Sequence, residues 1–150
     1  MKPLVVLLVV FGLTCLVQYF SFGAINYPFC GLLAMAVMLV FTSIAHFKFV
    51  KGMAMMLPAG VPFKIGVVYL TGVLELAAAT GLMIAQTQHL TAILLIVFFV
   101  LLLPANIYAA ANKIDLEKAT NTGNGLNYLW FRVPLQLFFI GWVCFFGLMV

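Results

Sequence analysis

Polar residues are sparse along this chain and fall in clumps, leaving five long apolar runs between them. The runs cover about residues 3 to 21, 28 to 48, 65 to 85, 89 to 110 and 127 to 149. Each approaches the roughly 20 helical residues needed to cross a hydrocarbon core of about 30 Å. Turn-forming residues lie between them: Gly23, Asn26 and Pro28 after the first, Gly52, Pro58, Gly60 and Pro62 after the second, Asn112 and then Asn121 to Gly125 after the fourth. Between the third and fourth runs there is little more than Gln86 to Gln88, which predicts a tight antiparallel hairpin. The pattern predicts an all-α polytopic membrane protein of five spans in a single membrane domain. The first run starts with a lysine, as a signal peptide does, but it exceeds a usual h-region and no A-x-A site follows, so a retained helix is expected. Thr14 before Cys15 also makes a poor lipoprotein site.

Composition agrees with the pattern. A chain that is 67% hydrophobic and 7% charged, with mean hydropathy +1.27, could not give a soluble domain a water-facing surface. The net charge of +4 does not point to nucleic acid, because the seven basic residues form no stripe. They report topology instead. Lys2, Lys48, Lys51, Lys64, Lys113, Lys118 and Arg132 all fall on one side of a five-span arrangement, and residues 22 to 27, 86 to 89 and the C-terminus carry no Lys or Arg. By the positive-inside rule the N-terminus is expected to be cytoplasmic and the C-terminus outside, and a bacterial inner membrane is the expected location. Cys15, Cys30 and Cys144 lie in apolar stretches without a CxxC or metal-site spacing, and read as buried thiols. Cys30 and Cys144 share the outer half of the bilayer, which leaves a disulfide between them open.

Two connectors have character. KGMAMMLPAGVPFK, residues 51 to 64, is apolar although it must leave the bilayer core, and reads either as an interfacial segment or as a lid over the inner mouth. Residues 111 to 127 are the hydrophilic stretch, with Asp115, Glu117 and Lys118 on an expected short surface helix.

The few polar groups inside the spans are the candidates for chemistry. Glu75 lies 11 residues beyond Lys64, near the midplane, where an ionisable group marks a functional site facing the protein interior. His46, Tyr69, Asn106, Arg132 and Gln136 bring polar groups from four helices into the same half of the bilayer. Gly72, Glu75 and Ala79 share one helix face, a small-residue stripe that allows close helix approach. Arg132 and Gln136 share another face, and Arg132 is the expected partner of Glu75. Such a cluster serves either as interhelical glue or as a pocket for a polar head group or carbonyl, with Glu75 exchanging a proton. Pro104 deletes a helix hydrogen bond, so Asn106 and Tyr108 read as local compensation or as the wall of a kinked pocket. His46 and His89 sit at opposite ends of the bundle and cannot jointly hold haem or a metal ion; no metal site is expected.

IAHF at 44 to 47, MLPAGVPFK at 56 to 64, VYLTGVLELAAATGL at 68 to 82, LPANIYAA at 103 to 110 and LWFRVPLQLFFIGWV at 129 to 143 resemble successive blocks of the DoxX-like membrane proteins. The resemblance implies a four-helix bundle formed by the second to fifth spans (28 to 149), with an additional N-terminal helix (1 to 25). It also implies a link to membrane redox systems, since the family takes its name from a subunit of thiosulfate:quinone oxidoreductase, while distant animal relatives resemble assembly factors for membrane receptors. Its characteristic positions would be His46, Pro58, Tyr69, Glu75, Asn106, Arg132 and Gln136. The chain departs from neighbouring families in lacking a cysteine at the polar cluster, so electrons would pass through a bound quinone or a partner subunit. Two functions follow as expectations: a quinone-linked redox subunit, or a noncatalytic partner that assembles with another membrane protein through its small-residue faces and Met-rich loop. Transport of a small solute is the weakest reading, because five spans without an internal repeat leave little room for a hydrated path.

Overall fold

The computed structural model describes residues 2–115, 117–123 and 125–149. Its helices are α1 (Lys2–Phe22), α2 (Tyr27–Lys48), the short α3 (Val50–Met55), α4 (Lys64–Met83), α5 (Gln88–Ala111) and α6 (Leu126–Cys144), the last continued by a π-helical turn, Phe145–Met149. Five of these helical stretches are long and apolar enough to cross a membrane: Lys2–Phe22, Tyr27–Lys48, Lys64–Met83, Gln88–Ala111 and Leu129–Met149. The protein is thus an all-α integral membrane protein with five candidate spans.

Local sequence sets the helix starts. Asn26 caps α2 by accepting the Phe29 amide, and Pro28 occupies the first turn, where a missing N–H costs nothing. The α4–α5 hairpin is tight because Gly81 has no side chain; a Cβ there would strike Thr91, and Thr87 Oγ1 donates to the Gly81 carbonyl at 3.0 Å.

Neighbouring long helices pack in sequence, α1 on α2, α2 on α4, α4 on α5 and α5 on α6, and the π-helical turn closes the ring against α2 and α5. The core fills this ring with Leu32, Met35, Leu39, Ala79, Leu82, Leu95, Phe99, Phe139 and Val143. Helix α1 lies outside it. Of its residues Leu7 is fully buried, and Phe11 stacks edge-on against Trp142 at 5.1 Å between ring centroids. The Trp142 indole N–H donates to the Gly31 carbonyl at 3.0 Å. Lys2 pairs with Glu117, which brings the start of α1 and the α5–α6 connector to one end of the bundle, as five alternating spans require.

One expectation changes. Asp115 does not begin a surface helix: its carboxylate accepts the amides of Glu117 and Lys118, and Asp115 forms a bridge with Thr120, so the described residues of this stretch make a capped turn. Aspartate favours such local bonds over a helix interior. The cysteines are free thiols as expected, Cys30 buried and Cys15 and Cys144 half-buried, and Cys30 donates to Gln18 Oε1 at 3.4 Å. The apolar connector folds back onto the bundle, with α3 packed on α4, Met56 buried and Lys64 Nζ donating to the Leu57 carbonyl at 2.9 Å.

Candidate functional site

Helix α4 buries a single stripe, Val68, Gly72, Glu75, Ala79 and Leu82, spaced alternately four and three residues apart. That spacing keeps one face toward a neighbour along the whole helix, and the neighbour is α2. The small-residue stripe is therefore an internal packing surface. Gly72 makes the approach possible: a Cβ there would lie 2.9 Å from His46 Cβ and 3.4 Å from the Phe47 ring.

On this seam the polar groups are knitted together. Ser43 Oγ donates to the Gly72 carbonyl at 2.8 Å. His46 Nδ1 lies 3.2 Å from the Val68 carbonyl and 3.0 Å from Thr71 Oγ1, while Thr71 Oγ1 donates to the Val68 carbonyl at 2.8 Å. On the other edge of the ring, His46 Nε2 stands 3.4 Å from Glu75 Oε1. Glu75 is 5% exposed, and its second oxygen, Oε2, is buried without a hydrogen-bond partner.

The structure thus pairs Glu75 with His46, where the sequence suggested Arg132. Helix direction explains the change. Side chains tilt toward the N-terminus of their own helix. In the antiparallel pair α2 and α4, His46 and Glu75 therefore lean toward each other, although their backbones differ in depth by about one helical turn, ~5 Å. Arg132 lies on α6, which packs chiefly on α5, and has interactions of its own.

The other expected residues fall into a second, separate cluster. Asn106 Nδ2 donates to Gln136 Oε1 at 2.8 Å, and Gln136 Nε2 donates to the Phe99 carbonyl. Phe99 precedes Val100, the residue whose carbonyl loses its helical partner to Pro104, so Gln136 braces α5 where the proline loosens it. Tyr69 joins neither cluster: it is 44% exposed, with its ring beside Phe47 at 5.8 Å between centroids. His89 is exposed at the start of α5.

Sequence reasoning missed Ser43 and Thr71. Ser43 stands three residues before His46 on the same α2 face, a signal that was available. Thr71 carried no such signal, because a threonine in a helix usually bonds its own preceding turn, as this one also does. Chemically, the seam offers an imidazole and a carboxylate in contact, shielded from water, with one carboxylate oxygen ready to accept a hydrogen bond.

A family model described as a domain of unknown function (DUF8561) matches residues 35–147, which takes in α2 from its third turn through α6 and leaves α1 outside. No curated protein and no solved structure matches the chain.

Proposed function

This chain belongs to the DUF8561 family, and for it we propose a quinone-linked role: a membrane redox subunit that binds the polar ring of a small apolar ligand at the His46–Glu75 site. One observation carries the reading. Glu75 is buried inside a membrane span with one oxygen against His46 and the other without a partner. An unsatisfied buried polar atom costs about 1–3 kcal/mol, and more when charged. A ligand hydroxyl at Oε2 removes that cost. A quinol supplies such a hydroxyl and is soluble in the bilayer; the oxidised ring presents a carbonyl instead, which a protonated Glu75 would bond. The DoxX-like sequence blocks support the same direction. Electrons would reach the ligand from a partner subunit, and the distribution of basic residues supports a site in the cytoplasmic half of the membrane.

The alternative is a noncatalytic partner that assembles with another membrane protein through its small-residue faces and Met-rich loop, and the α4 part of those faces is turned inward. Gly72 and Ala79 are buried in the bundle, so that face is already occupied.

The test is solvent extraction of the purified protein. The expected result is quinone above a detergent blank, with Glu75→Gln lowering the bound amount about tenfold, equivalent to ~1.4 kcal/mol. Wild-type protein that carries no quinone would refute the proposal.

A further inference from the structure

The bonds around His46 identify which of its nitrogens carries the proton. Nδ1 faces the Val68 carbonyl at 3.2 Å and Thr71 Oγ1 at 3.0 Å. A carbonyl oxygen can only accept. The Thr71 hydroxyl directs its own proton to that carbonyl, at 2.8 Å, and so presents a lone pair to the ring. Two acceptors converge on Nδ1, which calls for an N–H there. Nε2 then meets Glu75 Oε1 either as a lone pair or as a second N–H.

The charge of the pair decides how many protons lie on that side. With none, a bare nitrogen faces a carboxylate and the pair is anionic. With one on each group the pair is cationic. Both states leave a net charge in a site shielded from water, which is strongly disfavoured inside a bilayer. A single proton makes the pair neutral. Along the two helices the charged neighbours in sequence are Lys48 on α2 and Lys64 on α4, and Lys64 is engaged with the Leu57 carbonyl; Lys51 is on α3.

We infer that His46 and Glu75 form a one-proton site, its proton held between Nε2 and Oε1, and that Thr71 is the positioning residue that fixes the His46 tautomer. The inference rests on the ligand site proposed above for its use, although the proton count itself needs no ligand. A ligand hydroxyl that bonds Oε2 therefore meets a pair without net charge, and its own O–H bond stays intact.

The test uses the full chain in lipid bilayers with nitrogen-15 histidine, in a His89→Gln background that leaves one histidine. Solid-state NMR should find Nδ1 protonated. Thr71→Ser should preserve that signature, and Thr71→Val should convert a substantial fraction of the signal to the other tautomer. Two results would overturn the inference: a bare Nδ1 with Nε2–H against an ionised Glu75 in the unsubstituted site, or an unchanged spectrum in Thr71→Val. If Thr71→Val does not fold, the spectrum of the unsubstituted site decides alone. A protein without quinone but with Nδ1 protonated defeats the functional proposal and leaves this one standing; a bare Nδ1 in protein that carries quinone does the reverse.

Discussion

The α2–α4 seam and the α5–α6 seam both place polar side chains between apolar helices, and they use them in different ways. On α5–α6, Asn106, Gln136 and the Phe99 carbonyl are neutral groups that bond one another. On α2–α4, His46 and Glu75 are ionisable, and Glu75 Oε2 is left over. A neutral cluster bonded within itself fixes packing and asks for nothing further. An ionisable pair with a spare acceptor has a protonation state that a ligand can change. The contrast shows that polarity at membrane depth is a poor guide to chemistry by itself; what separates the two seams is charge and incomplete bonding.

Substitutions can break this comparison, and the largest effect is expected at the contact that holds the α2–α4 seam closed. Gly72→Val puts atoms where His46 Cβ and the Phe47 ring already stand. It should lower stability by about 1–3 kcal/mol, read from thermal unfolding of the purified protein. Gly141→Ala on α6, where a Cβ meets nothing within 4 Å, is the matched control and should change stability by less than ~0.5 kcal/mol. Since leaving glycine raises helix propensity at both positions, a comparable loss at both would show that the close approach at Gly72 is not what governs the result. Next in size is Gln136→Leu, which strands the Asn106 amide and removes the second donor to the Phe99 carbonyl. Interhelical bonds in membranes contribute about 0.6–2 kcal/mol, so a loss near 1 kcal/mol is expected in the same melts. Smallest is Tyr69→Phe. Its ring faces outward beside Phe47, so stability should shift by no more than ~0.5 kcal/mol and quinone content should stay at the wild-type level. A clear loss of quinone there would move Tyr69 back among the site residues.

Much of the fold was legible because hydrophobic runs of span length dictate helices whatever their neighbours. The five runs, the tight α4–α5 hairpin and the burial of Glu75 all follow from that rule. The Glu75, Gly72 and Ala79 stripe was readable too, since the helical period alone puts those residues on one face. Which helix meets that face was not readable. Glu75 can be ranked by depth against His46 and Arg132 from residue counts, but depth says nothing about which helix lies alongside. The tilt of side chains toward the helix N-terminus, decisive for bringing His46 to Glu75, enters only once α2 is known to run antiparallel beside α4. Thr71 was hidden for a different reason, because a hydroxyl that bonds its own helix gives no outward sign that it also faces a histidine. At Asp115 a local bond pattern won over helix formation.

Whether the two seams are separate is measured most directly by comparing them in one experiment. Glu75→Gln and Gln136→Leu are purified in parallel, and the quinone extracted per mole of folded protein is determined for each. The prediction is a loss of about tenfold, or ~1.4 kcal/mol, for Glu75→Gln and wild-type content for Gln136→Leu. Equal losses in both would mean that the two seams form one functional cluster, and would contradict the account.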